Sequence, residues 1–132
     1  MKINSIEEEI VKKYVIKNKQ ERILWELSNP QKRPNIIWQF AGLRLFKKSC
    51  LQLTKYMPPE ELEKCLFQLT EAKLVYFIGE DYIGELSLTQ AAKRTNTGEI
   101  CIIYCGNGIG YYQGEQDYGT PPRFLLMEKR SF

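Results

Sequence analysis

The hydrophobic pattern of this chain changes near residue 72, and the change limits the folds open to it. Before that point apolar residues recur at helical spacing, most clearly from Pro58 to Glu71, where Leu62, Leu66 and Leu69 share one stripe. Four β-rich runs follow: KLVYFIG, EICIIYC, IGYYQGE and RFLLMEK. This order predicts an α+β fold, in which N-terminal helices pack on a C-terminal, mainly antiparallel sheet of about four strands.

Three more helical segments are predicted in the first half of the chain. Ser5-Ile6-Glu7-Glu8 has the form of a capping box and begins a helix. Asn18 is expected to interrupt it before a second segment, which carries Ile23, Leu24 and Leu27. A further helix is expected from Pro34 to Ala41, with Gly42 ending it. Residues 43–56 have mixed periodicity, and the sequence leaves their structure open.

The length of 132 residues predicts one domain spanning residues 1–132. No apolar run approaches the roughly 18 residues that a membrane helix needs, so a membrane is not an expected partner. The first residues, MKINSIEEEIVKK, are charged and lack the apolar stretch of a signal peptide. These features favour a cytoplasmic protein.

The cysteines are interpreted as reduced and mostly buried thiols, because the chain shows no export signal. Cys101 and Cys105 lie four residues apart in a strand-like run, which is not the Cys-x-x-Cys spacing of zinc or redox sites. We therefore predict no metal site and no cofactor. The remaining cysteines are Cys50 and Cys65.

Histidine is absent from the chain, which excludes Ser-His and Cys-His catalytic pairs and imidazole metal ligands. A protein that is not an enzyme is therefore predicted. Carboxylate catalysis stays as a minor alternative, because two carboxyl groups can act as general acid and base. Its candidates are Glu80, Asp81 and Glu85, or Glu115 with Asp117.

Gly106, Gly108 and Gly110 raise the question of a phosphate-binding loop. A dinucleotide-binding loop needs a helix after its glycines, and a Walker loop needs Gly-Lys-Ser/Thr. Here a β-rich run follows and no lysine is near. The glycines are therefore predicted to form a hairpin turn.

Two loops combine carboxylates with tyrosine: GEDYIGE at residues 79–85, and GEQDYGTPPR at residues 114–123. Plain connecting loops have this composition, but so do recognition loops at protein interfaces. If both loops belong to one sheet, they can form one surface. The predicted partner-binding residues are Glu80, Asp81, Tyr82, Glu85, Tyr112, Glu115, Asp117 and Tyr118.

The small net charge of +3 hides a division along the chain. Residues 1–56 carry a net charge of +7, and residues 57–132 carry −4. This asymmetry keeps a nucleic-acid-binding protein as the alternative, with basic side chains of the N-terminal helices on phosphates. Those side chains are Lys12, Lys13, Lys17, Lys19, Lys32, Arg33, Arg44, Lys47 and Lys48.

The segments RILWELSNPQKRPNII and IGELSLTQAA, and GYYQGE followed by RFLL, resemble the immunity proteins of bacterial contact-dependent growth inhibition and related polymorphic toxin systems. The resemblance lies in size, composition and layout over most of the chain. It implies a cytoplasmic protein that binds one toxin domain and blocks its active site. No residue role is carried over from the family, so the site residues named above are assigned from charge and loop chemistry.

Overall fold

The structure is a computed structural model, and it describes residues 4–115 and 122–128. The α-helices of these residues are α1 (Ser5–Tyr14), α2 (Lys17–Ser28), α3 (Pro59–Thr70) and α4 (Leu88–Arg94). Short 3-10 helices cover Arg33–Phe40, Lys48–Cys50 and Thr95–Thr97. The strands are β1 (Leu51–Leu53), β2 (Leu74–Gly79), β3 (Ile83–Ser87), β4 (Cys101–Gly106), β5 (Ile109–Gln113) and β6 (Arg123–Met127).

The strands form one sheet in the order β1-β6-β5-β4-β2-β3, and all neighbouring pairs are antiparallel. The predicted α+β class with an antiparallel sheet is confirmed. The expectation of about four strands is wrong, because the sheet has six. The two additional strands, β1 and β3, are the edges of the sheet. Edge strands are short and partly exposed, so they lack the apolar runs by which the four inner strands are recognised.

Helices cover both faces of the sheet. Ile102 and Tyr104 of β4 pack in one hydrophobic cluster with α1, α2 and the 3-10 helix at residues 33–40, on what is here named the α1 face. Cys101 and Ile103 of the same strand pack with α3 and α4 on the opposite, α3 face. Because successive side chains of a strand point to opposite faces, a strand buried on both sides reads as a continuous apolar run.

Two helices differ in detail from the sequence expectation. The N-cap of α1 is Asn4, whose Oδ1 accepts a hydrogen bond from the backbone N–H of Glu7 at 2.7 Å, so the cap lies one residue before Ser5. The segment predicted as a helix from Pro34 to Ala41 is the 3-10 helix Arg33–Phe40.

The predicted glycine turn is confirmed as the hairpin that joins β4 to β5. Gly106, Asn107 and Gly108 have φ angles of 96°, 55° and 79°, the left-handed region that glycine and asparagine adopt most easily. Inside β5, Gly110 lies so close to β4 that an added Cβ would be 2.4 Å from the carbonyl oxygen of Ile103.

Candidate functional site at one end of the sheet

The strand register brings the two acidic loops to the same end of the sheet. Gly79, the last residue of β2, pairs with Cys101, and Cys101 pairs with Gln113, the last residue of β5. Adjacent strands lie about 4.8 Å apart, so the ends of β2 and β5 are separated by about 10 Å. The turn after β2 and the connection after β5 therefore leave the sheet side by side. We name this end of the strands the acidic end; it is marked by Gly79, Cys101, Gln113 and Arg123.

Exposed carboxylates of both loops lie at this end. Glu80 and Asp81 are exposed in the turn between β2 and β3, and Glu115 is exposed just after β5. The backbone next to Glu115 is fixed by a hydrogen bond, in which the N–H of Gly114 donates to the carbonyl oxygen of Pro122 at 2.8 Å. Asp117 and Tyr118 were also predicted as binding residues, and they lie outside the described residues.

Glu85 is exposed but lies away from the acidic end. It pairs with Tyr76 in the middle of β2, so its side chain stands on the α1 face of the edge strand β3. Tyr82 lies between the two positions, 36% exposed, and its hydroxyl donates to the carbonyl oxygen of Glu85 at 2.8 Å.

The assignment of Tyr112 to the binding surface is wrong. Its side chain is fully buried, and its hydroxyl donates to the carbonyl oxygen of Phe40 at 2.9 Å. Its ring packs edge-on against Phe46 at a centroid distance of 4.9 Å. Tyr112 is thus a core residue of the α1 face. The sequence showed a tyrosine within a glycine-rich run, but not the helix that covers it.

Arg94 and Glu99 belong to the same region, although sequence reasoning missed both. The Arg94 guanidinium lies over the rings of Phe77 and Tyr82, at 4.9 and 5.6 Å from their centroids. Its Nη2 is 3.6 Å from Oε1 of Glu99. Burial raises the pKa of the Glu99 carboxyl; Arg94 opposes this rise, and the carboxylates of Asp81 and Glu80 add to it. No spacing in the sequence indicates that the end of α4 contacts the turn after β2.

A recess of about 210 Å³ lies on the α1 face of this turn, lined by Arg33, Pro34, Glu80, Asp81, Tyr82 and Ile83. The Arg33 guanidinium is bound to the fully buried carboxylate of Glu7: its Nη1 lies 2.6 Å from Oε1, and its Nη2 donates to Oε2. The Tyr76 hydroxyl also donates to Glu7. Since the charge of Arg33 is matched internally, the exposed carboxylates of the recess keep their negative field.

Three lysines lie near one another at the opposite end of the sheet. Nζ of Lys47 donates to the carbonyl oxygen of Lys12 at 2.9 Å, and Nζ of Lys13 is 3.0 Å from Oε1 of Glu128. Glu128 follows β6 at the end opposite to Arg123. We name Lys12, Lys13 and Lys47 the basic corner. Lys12 also contacts Glu8 at 3.2 Å, so two of the three lysines are paired with carboxylates.

None of the four cysteines is in a disulfide; Cys50 and Cys101 are buried, and Cys65 and Cys105 are partly buried. Among the residues that the structure describes, no group of three His, Cys, Asp or Glu side chains is arranged to hold a metal ion. Over the same part of the chain, no helix combines the length and the apolar character needed to cross a bilayer.

Comparison of the chain with protein-family models, curated proteins and solved structures finds no match. Its function is therefore argued from the chemistry of its own surface.

Proposed function

We propose that this chain is a non-enzymatic immunity protein, which binds a cognate bacterial toxin domain in the cytoplasm and neutralises it. The acidic end of the sheet is the proposed contact surface, and a basic region of the toxin is its complement. The observation that supports the proposal is the register Gly79–Cys101–Gln113, which brings the starts of two acidic loops to the same end of the sheet. The class of partner comes from the family resemblance described above.

The chemistry of the acidic end suits recognition of a protein. Complementary charge speeds association, and like charges placed opposite each other cost several kcal/mol, so such a surface also rejects wrong partners. Tyr82 adds a large amphipathic side chain that is enriched at interface centres. Its ring is held in place by Arg94 on one side and by its hydrogen bond to Glu85 on the other.

Two alternative functions are weaker. A carboxylate hydrolase needs an acid with a raised pKa inside a cleft, whereas Glu80, Asp81, Glu85 and Glu115 are exposed. A nucleic-acid-binding protein is favoured by the convergence of Lys12, Lys13 and Lys47 at the basic corner. Two of these lysines already contact carboxylates, which lowers their value as phosphate ligands.

Co-expression with the toxic open reading frame adjacent to the gene tests the proposal. We expect that the chain restores growth and elutes with the toxin as one complex on gel filtration. The double variant Glu80→Lys/Asp81→Lys is expected to fold normally and to lose the rescue. Glu21→Lys/Glu71→Lys makes the same change in net charge at two exposed positions away from the acidic end, and it is expected to keep the rescue.

Failure of the unaltered chain to restore growth or to form a complex would exclude the immunity function. Binding of RNA that falls steeply with salt, and that is lost in Lys12→Glu/Lys47→Glu, would instead favour the nucleic-acid alternative.

A further inference from the structure

The edge strand β3 has backbone groups that face away from the sheet. The N–H of Gly79 donates to Tyr82, and the N–H of Leu88 donates to Lys73, so these pairs are hydrogen-bonded across β2 and β3. Hydrogen-bonded and non-hydrogen-bonded pairs alternate along an antiparallel ladder. The N–H and C=O groups of Ile83 and Glu85 therefore point outward, whereas Ser87 is the N-cap of α4. Among the described residues, no strand pairs with β3 on that side.

One of these outward groups is covered by a side chain. The Tyr82 hydroxyl donates to the carbonyl oxygen of Glu85, and the ring reaches it by passing close to Gly84. A Cβ at Gly84 would lie 2.9 Å from the Tyr82 hydroxyl oxygen. Native sheets protect their edges in such ways against unwanted pairing. The cover is a single partly exposed side chain, which an incoming strand can displace.

Two recesses on the α1 face each include one side chain of this edge strand. The side chains of Ile83 and Glu85 both lie on that face, because they pair with Ile78 and Tyr76. The recess of about 210 Å³ described above is lined by Ile83. A second recess of about 170 Å³ is lined by Glu85 and extends inward over Tyr76 of β2 and Tyr104 of β4. Residues two apart in a strand are separated by about 6.8 Å, so an added strand places alternate side chains beside Ile83 and Glu85, at the outer margins of the two recesses.

The linings differ in chemistry. The first recess carries the exposed carboxylates of Glu80 and Asp81, which suit the cationic end of a lysine or arginine. The second has Leu74 and Ile6 exposed by 60% and 39%, and Glu9 and Glu85 also line it. An apolar side chain, or a basic one with a long apolar stem, fits that combination.

We infer that the partner adds an extended, basic segment to the free edge of β3, with alternate side chains entering these two recesses. This inference rests on the proposed function, because it names how a basic partner docks. In strand addition the backbone hydrogen bonds supply affinity and the pockets for alternate side chains supply specificity.

A fluorescein-labelled peptide of alternating lysine and valine is the probe, and its binding is followed by fluorescence anisotropy at low salt. Its control is a peptide with the same side chains, N-methylated at every lysine, so that a strand whose lysines face the recesses has no donors on the edge beside β3. We expect saturable binding of the first peptide and at least about tenfold weaker binding of the second. Equal binding of the two, or no binding of either, would overturn the inference.

Variants of the protein, rather than of the peptide, test the same edge of β3. Glu85→Pro removes an outward N–H that β2 does not use, and proline is tolerated at such edge positions. Glu85→Ala removes only the side chain, and Leu53→Pro places proline on the opposite edge strand, β1. We expect Glu85→Pro to lose peptide binding and Leu53→Pro to keep it, with Glu85→Ala between them. Far-UV circular dichroism confirms folding, and the N-methyl comparison decides the matter if Glu85→Pro fails to fold.

The outcomes separate this inference from the proposed function. If Glu80→Lys/Asp81→Lys loses toxin binding while Glu85→Pro binds toxin and peptide normally, the proposed function stands and strand addition is wrong. A wild-type dimer on gel filtration that Glu85→Pro converts to a monomer would assign the edge to a second copy of this chain, and would also overturn the inference.

Discussion

Among individual side chains, Glu7 joins three elements of the fold. Its carboxylate is fully buried in α1, accepts hydrogen bonds from Arg33 at the start of the 3-10 helix, and accepts another from Tyr76 of β2. Asn4, the N-cap of α1, donates from Nδ2 to the Tyr76 hydroxyl at 2.9 Å. A buried charge is tolerated when it is paired and hydrogen-bonded. Removing one partner leaves the other charge buried and unpaired, which destabilises the folded state.

Glu7→Gln is therefore expected to lower the free energy of unfolding by about 3 kcal/mol, because it leaves the Arg33 guanidinium without its carboxylate. Urea denaturation measures the change. The matched control is Glu8→Gln, whose carboxylate is partly exposed and contacts Lys12 one turn away. Such a pair contributes about 0.5 kcal/mol or less. Similar losses in the two variants would contradict the role given to Glu7.

A second prediction concerns the reactivity of the cysteine thiols. Burial raises the pKa of the Cys105 thiol to about 12, although a hydrogen bond with Thr70 acts in the opposite direction. Burial also raises the pKa of the Cys101 thiol, and by more than that of Cys105. The thiolate is the reactive species, so both residues are expected to react slowly with iodoacetamide at neutral pH in the folded protein. Mass spectrometry of the labelled protein should show full modification only after unfolding. Rapid labelling of native Cys101 would show that it is not buried as described.

Of the secondary-structure elements, the sequence predicts the four inner strands and misses the two edges. β2, β4, β5 and β6 are recognisable because burial on both faces demands continuous apolar runs. β3 contains Gly84 and Glu85, and β1 has only three residues, one of them Gln52. These edge strands exist because an inner strand pairs with them, which is a tertiary contact that local pattern does not contain.

For the candidate site too, the sequence predicts some features and misses others. The loop compositions identify Glu80, Asp81 and Glu115 as exposed carboxylates, and the structure places all three at one end. Their proximity depends on strand order, since β4 inserts between β2 and β5. Tyr112 was misassigned for a related reason: the covering side chains of Phe40 and Phe46 are distant in sequence.

The close approach of β4 and β5 at Gly110 leads to a prediction about stability. Gly110→Ala forces a Cβ against the carbonyl oxygen of Ile103, so backbone must move, and we expect a loss of about 1–3 kcal/mol in unfolding free energy. Gly42→Ala is the matched control, because its Cβ would meet only Arg44 Cγ at 3.9 Å. That variant is expected to be neutral or slightly stabilising on thermal denaturation. A neutral Gly110→Ala would contradict the close strand approach.

Across the whole fold, five buried tyrosines couple stability to alkaline pH. Burial raises the pKa values of Tyr14, Tyr76, Tyr104, Tyr111 and Tyr112 above their usual value of about 10. The unfolded chain releases these protons near that pH while the folded chain keeps them. The folded state then binds more protons, so the free energy of unfolding must fall as pH rises above about 10.

Urea denaturation at pH 8 and at about pH 10.5 measures this fall, and absorbance at 295 nm follows the ionisation. Tyr14→Phe is the informative variant, since the buried Tyr14 hydroxyl has no hydrogen-bond partner among the described residues. We expect it to reduce the fall between the two pH values, because one of the raised pKa values is then removed. An identical fall in Tyr14→Phe and the wild type would contradict the prediction.

Charge is also distributed unevenly over the molecule. Exposed carboxylates of Glu80, Asp81 and Glu115 lie at the acidic end, and Lys12, Lys13 and Lys47 lie at the other end of the sheet. Such a field orients an approaching charged partner before contact and makes the association rate depend on ionic strength.

The dissociation constant of the complex with the toxin, measured by isothermal titration calorimetry, tests most directly whether the two acidic loops form one binding surface. The proteins compared are Glu80→Lys, Glu115→Lys, their double variant, and the control Glu21→Lys. Each single charge reversal in a loop is expected to weaken binding at least about tenfold and the double variant further, because like charges then face each other across the interface. Glu21→Lys is expected to bind like the wild type. Wild-type affinity in both loop variants, or in the double variant, would contradict binding at the acidic end.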